Sequence, residues 1–183
     1  MKAVTRRGSL VALAISTWML VGSLSALAQE ATPVLVDATL ESMRGGSHTL
    51  STERGHRAVV LFYDDRDHIE DNAAFKGDLE RFIVDNHLDD RVVTYGVANL
   101  GDVGMVPHAL VRSMISPLLD RYRSDILLDW DGVMRRSPFD FPTYATTCAL
   151  LDRTGTIVYR HTGVIDETER RTFYRALRGV ISR

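Results

Sequence analysis

The segment AVVLFYDDRDHIEDN, residues 58–72, decides how this chain is read. Val59, Val60, Leu61, Phe62 and Tyr63 form an unbroken apolar run of strand-forming residues, the pattern of a central strand covered on both faces. It passes directly into an acidic turn. From Asn72 to Val84 the apolar residues Phe75, Leu79, Phe82 and Ile83 recur at i, i+4, i+7 and i+8, one face of a helix. Gly77 weakens that helix by about 1 kcal/mol relative to alanine without breaking it. The unit is strand, acidic turn, helix.

Outward from it, Val34 to Val36 gives a short first strand or its approach, and Gly45-Gly46 marks a turn before a small strand at His48-Thr49-Leu50. Arg91 to Val97 reads as the next buried strand. Pro107 opens a second helical pattern, with Leu110, Val111, Met114, Ile115, Leu118, Leu119 and Tyr122 on a broad apolar face. Ser116-Pro117 predicts a kink there or two shorter helices, because proline removes a hydrogen bond and crowds the preceding turn. Ile126 to Trp130 is a strand, and Val133 to Arg135 a return from it. Thr147–Leu151 and Thr156–His161 are two strands joined by Asp152-Arg153-Thr154-Gly155, a hairpin signal. A last helix begins at Asp166, with Glu169 as capping-box partner and Phe173, Ala176, Leu177 and Val180 as its buried stripe. Strands alternating with helices, closed by a hairpin and helix, predict an α/β domain with a mixed sheet.

The first residues have a different character. Lys2, Arg6 and Arg7 precede the apolar run Leu10–Val21, and Ala26-Leu27-Ala28 follows, the layout of a secretory signal peptide cut after Ala28. The apolar stretch falls short of the ~20 residues that a bilayer span needs, so no stable membrane anchor is expected after cleavage. Arg6-Arg7 leaves both general and twin-arginine export open. Residues 29–183 then form a single domain, periplasmic or secreted, and losing three basic residues moves the net charge from −2 to −5. That balance argues against nucleic acid as a partner, since phosphate neutralisation needs a basic face.

The order of elements and three local sequences resemble the thioredoxin-like fold, in its peroxiredoxin and exported-oxidoreductase form. The three are residues 46–57, AVVLFYDD at residues 58–65, and the closing hairpin CALLDRTGTIVYRHTG at residues 148–163. With LLDWDGV at residues 127–133, the pattern most resembles the small periplasmic YtfJ-like proteins. The resemblance implies a three-layer sandwich with a mixed central sheet and flanking helices. It also implies a redox cysteine pair near Asp67 and Glu70, where this chain has neither sulfur. The cis-proline expected before the strand at Thr147 is replaced by Ala145 or Thr146, and YtfJ-like proteins lack both features too.

Asp64, Asp65, Asp67, Glu70 and Asp71 with His68 put five carboxylates and one imidazole into eight residues. A hard cation takes several oxygen ligands from such a turn, but acids are equally favoured, solvated, at the positive end of a helix. The spacing of a calcium loop is missing, so no metal is assigned. Asp129-Trp130-Asp131-Gly132 and Asp152-Arg153-Thr154-Gly155 fit turn chemistry. Cys148, the only cysteine, lies in an apolar strand where a thiol behaves as a small buried hydrophobe. Met105, Met114 and Ile115 offer an adaptable surface to a partner, or else an ordinary core-facing helix.

The sequence therefore points to an exported thioredoxin-like binding or accessory module without a cofactor. Its partner would be a protein or small molecule of the cell envelope, and Asp64, Asp65, Asp67, His68 and Glu70 are its candidate binding residues. The alternative is a divergent peroxidase or oxidoreductase using Cys148 with an external thiol.

Overall fold

The computed structural model describes residues 35–182, and the expected signal peptide, with Val34 of the first expected strand, lies outside them. Ten elements follow in order: β1 (Thr39–Ser42), β2 (Ser47–Thr49), β3 (Ala58–Asp64), α1 (Ala73–Asp85), β4 (Val92–Asn99), α2 (His108–Arg121), β5 (Asp125–Asp129), β6 (Thr147–Leu151), β7 (Ile157–Thr162) and α3 (Glu167–Ile181). The strands form one mixed sheet in the order β2-β1-β5-β4-β3-β6-β7. β3 pairs parallel with β4 and antiparallel with β6, and all seven of its residues are buried. The uniformly apolar run is thus the middle of the sheet, covered on both sides.

Alternation along the strands separates two cores. Val59, Leu61 and Tyr63 join Tyr95, Val97, Leu127, Ala149 and Leu151 on one face, under Val36, Leu40, Leu50, Met134, Phe139 and Phe141. That layer is built from the N-terminal segment and the loop before β6. Ala58, Val60 and Phe62 point the other way, against Phe75, Leu79 and Ile83 of α1 and Phe173, Leu177 and Val180 of α3. Phe62, Gly96 and Ile126 are register partners, so α2, which packs over Ile126 and Leu128, shares this face. Phe75 and Phe173 meet edge to face with ring centroids 5.1 Å apart, and both are almost fully buried. Each such ring contributes about 1.5–3 kcal/mol by burial.

The hairpin and the last helix follow their sequence signals. Gly155 has φ +86°, and Asp152 Oδ1 accepts from the Thr154 and Thr156 amides. Asp166 caps α3 by accepting from Glu169 N at 2.8 Å, but the Glu169 carboxylate accepts from the Tyr159 hydroxyl at 3.1 Å instead of completing the expected capping box. Of the two readings of residues 34–36, the approach to a strand holds for the described Leu35 and Val36: Leu35 makes an isolated bridge to Thr156, and the first full strand is Thr39–Ser42. Two expectations are corrected. Val133–Arg135 is a 3-10 turn, because Asp129 accepts from the amides of Val133 and Met134 at 2.7 and 3.0 Å. Pro117 does not divide α2 into two helices: Ser113, whose carbonyl it leaves without an intrahelical donor, is exposed, as is Pro117 itself, so water can donate to that carbonyl in place of the missing N–H.

Candidate functional site

At the end of β3 the chain buries four polar side chains together. Asp64 Oδ2 accepts from Lys76 Nζ of α1 at 2.7 Å, and Asp64 Oδ1 accepts from the Thr146 hydroxyl at 2.6 Å. Asn72 Nδ2 donates to Thr146 Oγ1 at 3.2 Å and to the Gly163 carbonyl at 3.1 Å, while its Oδ1 accepts from the Ile165 amide at 2.8 Å. Lys76 Nζ also donates to the Ile69 carbonyl at 3.1 Å. All four residues are buried. Burial pushes the Asp64 carboxyl above its ordinary range, against the pull of the Lys76 ammonium and the Thr146 hydroxyl. Buried polar groups bonded in this way fix three loops at one end of the central strands: residues 65–72, 143–146 and 163–166.

The remaining acids of the turn are handled separately. Asp65 Oδ1 accepts from the amides of Asp67 and His68 and meets His68 Nδ1 at 2.6 Å. That contact raises the imidazole above its usual value. Glu70 pairs with Arg121, at the end of α2, at 2.5 Å. Asp67 and Asp71 point into solvent. The structure thus takes Asp64 inward and leaves Asp65, Asp67, His68 and Glu70 on the surface of the turn. Among the described residues no group of three or more His, Cys, Asp or Glu side chains is placed to hold a metal ion.

Cys148 sits opposite Phe62 in the middle of β6 with no exposed surface. Burial pushes its thiol far above the usual range, so the thiolate needed for nucleophilic attack is scarce at neutral pH. Along α2 only Val111 is buried. Met105 in the preceding loop is fully exposed, and Leu110 and Met114 are more than half exposed. The single broad apolar face expected of this helix is therefore split between a solvent side and a side over the sheet.

Lys76 and Asn72 carry the buried network with Thr146 and were not singled out by the sequence, which named Thr146 only as a residue in the place of the expected cis-proline. One signal was available: Lys76 lies beside Phe75 and three residues before Leu79, so it shares the buried stripe of α1 and needs a counter-charge there.

No family model and no curated protein matches the chain. Solved structures do. The exposed lipoprotein thioredoxin Etrx1 of Streptococcus pneumoniae TIGR4 is similar over 79% of this chain and 99% of its own, with TM-score 0.59 and 19% identity. A Chlorobium tepidum protein assigned as a thiol:disulfide interchange protein DsbE covers 82% and 98%, with TM-score 0.60 and 15% identity. MTB dsbF, solved in mixed oxidized and reduced forms, covers 78% and 94%, with TM-score 0.56 and 13% identity. The fold is thioredoxin-like, an α/β architecture with a mixed seven-stranded sheet and three helices, carried by a chain with a single cysteine.

Proposed function

We propose that this protein is an exported, non-catalytic thioredoxin-like module that binds a partner in the cell envelope, in the manner its resemblance to YtfJ-like proteins suggests. One observation carries the reading: the chain's only thiol is sealed inside β6, while the turn that the resemblance matches to the redox turn carries Asp67 and Glu70 in place of sulfur and follows the buried Asp64, which is bonded to Lys76 and Thr146. Thiol-disulfide exchange within one molecule needs two sulfurs that can meet, with one of them exposed as thiolate. What this end of the sheet keeps is shape, namely three loops tied together by Asn72. The exposed Met105, Leu110 and Met114 add an adaptable apolar surface of the kind partners use. The basic-then-apolar leader ending at Ala28 supports export, and a neighbour of the same fold is named as an exposed lipoprotein.

The test is chemical. Purified residues 29–183 are expected to show no turnover in a thiol-coupled peroxide assay or an insulin-reduction assay. Turnover that vanishes in Cys148→Ser would overturn the reading in favour of a single-cysteine oxidoreductase.

A further inference from the structure

His161 of β7 reaches the loop that follows its own strand and the helix beyond it. Its Nε2 lies 3.2 Å from the Val164 carbonyl oxygen, and its Nδ1 lies 3.4 Å from Glu169 Oε2 of α3. A carbonyl and a carboxylate can only accept hydrogen bonds. A neutral imidazole carries one N–H, so either tautomer turns a bare nitrogen lone pair toward an oxygen. The doubly protonated ring satisfies both. Only 24% of the side chain is exposed, which limits how far water can stand in for the missing proton.

The titratable groups around the ring are Glu169 and the capping Asp166 from α3, Tyr159 from β7 itself and Cys148 from β6. None of them is a base. His161 is the only ion-pair partner of Glu169 among the described residues, and the Tyr159 hydroxyl donates to the same Oε2 at 3.1 Å. When the ring holds a single proton, the stronger bond is the one to the charged acceptor, so the proton goes to Nδ1 and the Val164 carbonyl loses its donor.

The loop held in this way is one of the three bonded at the end of β3. From inside, Asn72 bonds the Gly163 carbonyl and the Ile165 amide, and the Gly163 amide donates to the Thr146 carbonyl at 2.8 Å. His161 holds it at Val164, whose side chain is exposed. The amide bonds do not change with pH near neutrality; an imidazole changes charge between about pH 5 and 8.

We propose that His161 is a proton-operated latch: doubly protonated, it ties the loop of residues 163–166 to β7 and α3, and on losing a proton it lets go of Val164. As a regulator of partner binding the latch rests on the reading of this end of the sheet as a binding surface; as a device of the free domain it does not, and it can be tested without a partner or a thiol assay.

In ¹⁵N-labelled residues 29–183, amide exchange at Gly163 and Ile165 is measured at pH 5.5 and 8.5 and divided by the unstructured rate at each pH. Their protection relative to Leu79 of α1 is expected to fall about fivefold at the higher pH, the worth of one hydrogen bond. His161→Gln, which does not titrate, is expected to remove the step. Glu169→Gln can donate to Nδ1 from its amide while its oxygen still accepts from Tyr159, so the remaining ring proton can sit on Nε2. That variant is expected to keep the loop protected at pH 8.5. Equal wild-type protection at both pH values, a step that survives His161→Gln, or a loop that is released at pH 8.5 in Glu169→Gln as in the wild type would each overturn the proposal.

Discussion

The helical face of the sheet is built in two ways. Where α1 and α3 cover β3 and β6, it is packed solid: Phe62, Phe75, Phe173 and Tyr159 interlock edge to face, and the four buried polar side chains at the strand ends bond one another. Where α2 covers β4 and β5, a glycine floors the sheet, hydroxyls lie unpartnered, and the helix turns Leu110 and Met114 to solvent. The same fold is thus stabilised on one side and left open on the other. In a redox thioredoxin the end of β3 would be the reactive part; here it belongs to the rigid half.

Truncating the shared aromatic should break the comparison most visibly. Phe75→Ala is expected to cost about 3–5 kcal/mol in urea denaturation, because the ring of this α1 residue packs against Phe62 of β3 and against Phe173 and Tyr174 of α3, so the site cannot collapse. Ile115→Ala on α2 is expected to cost about 1 kcal/mol or less, since that side chain is already part solvated. Equal losses would mean that the two halves are equally packed. Lys76→Met is expected to cost roughly 3 kcal/mol, because it strands the Asp64 carboxylate in the interior, and adding Asp64→Asn should restore part of that loss. If the single substitution is neutral, the pair is not what holds this end of the sheet. Asn72→Ala should cost about 1–3 kcal/mol and, more tellingly, speed amide exchange at Gly163 and Ile165.

How much of this the sequence disclosed follows the range of the interactions. The β6–β7 hairpin and the α3 cap were legible because Asp152, Gly155, Asp166 and Glu169 act within a few residues of themselves. β3 was legible because burial on both faces writes a continuous apolar run. β1 was not: TLES is an unremarkable string until it pairs with β2 on one side and with Leu127 and Leu128 of β5 on the other. Pro117 did not split the helix as one of its two expected outcomes required, because Ser113 is exposed and water can donate to the carbonyl that lost its partner. At the site, the acids of residues 64–71 were plain to see, but their division was not. Which carboxylate turns inward depends on Lys76 and on Thr146, 82 positions further along the chain.

The surface of the turn gives the smallest effect and the sharpest sign. His68 is raised above the ordinary imidazole value by its hydrogen bond to Asp65, so the folded turn binds that proton more tightly than the unfolded chain does. The stabilisation is fully present below about pH 6.5, the unfolded value, and disappears as pH rises through the higher folded value. His68→Ala should therefore lower the unfolding midpoint at pH 5.5 and leave it nearly unchanged at pH 9. It should do so without disturbing the buried network, because His68 touches Asp65 and not Asp64. A midpoint loss that is the same at both pH values would show that the imidazole serves by packing instead. A loss that also exposes Gly163 and Ile165 to exchange would join the acidic turn to the rigid half and erase the division drawn between Asp64 and its neighbours.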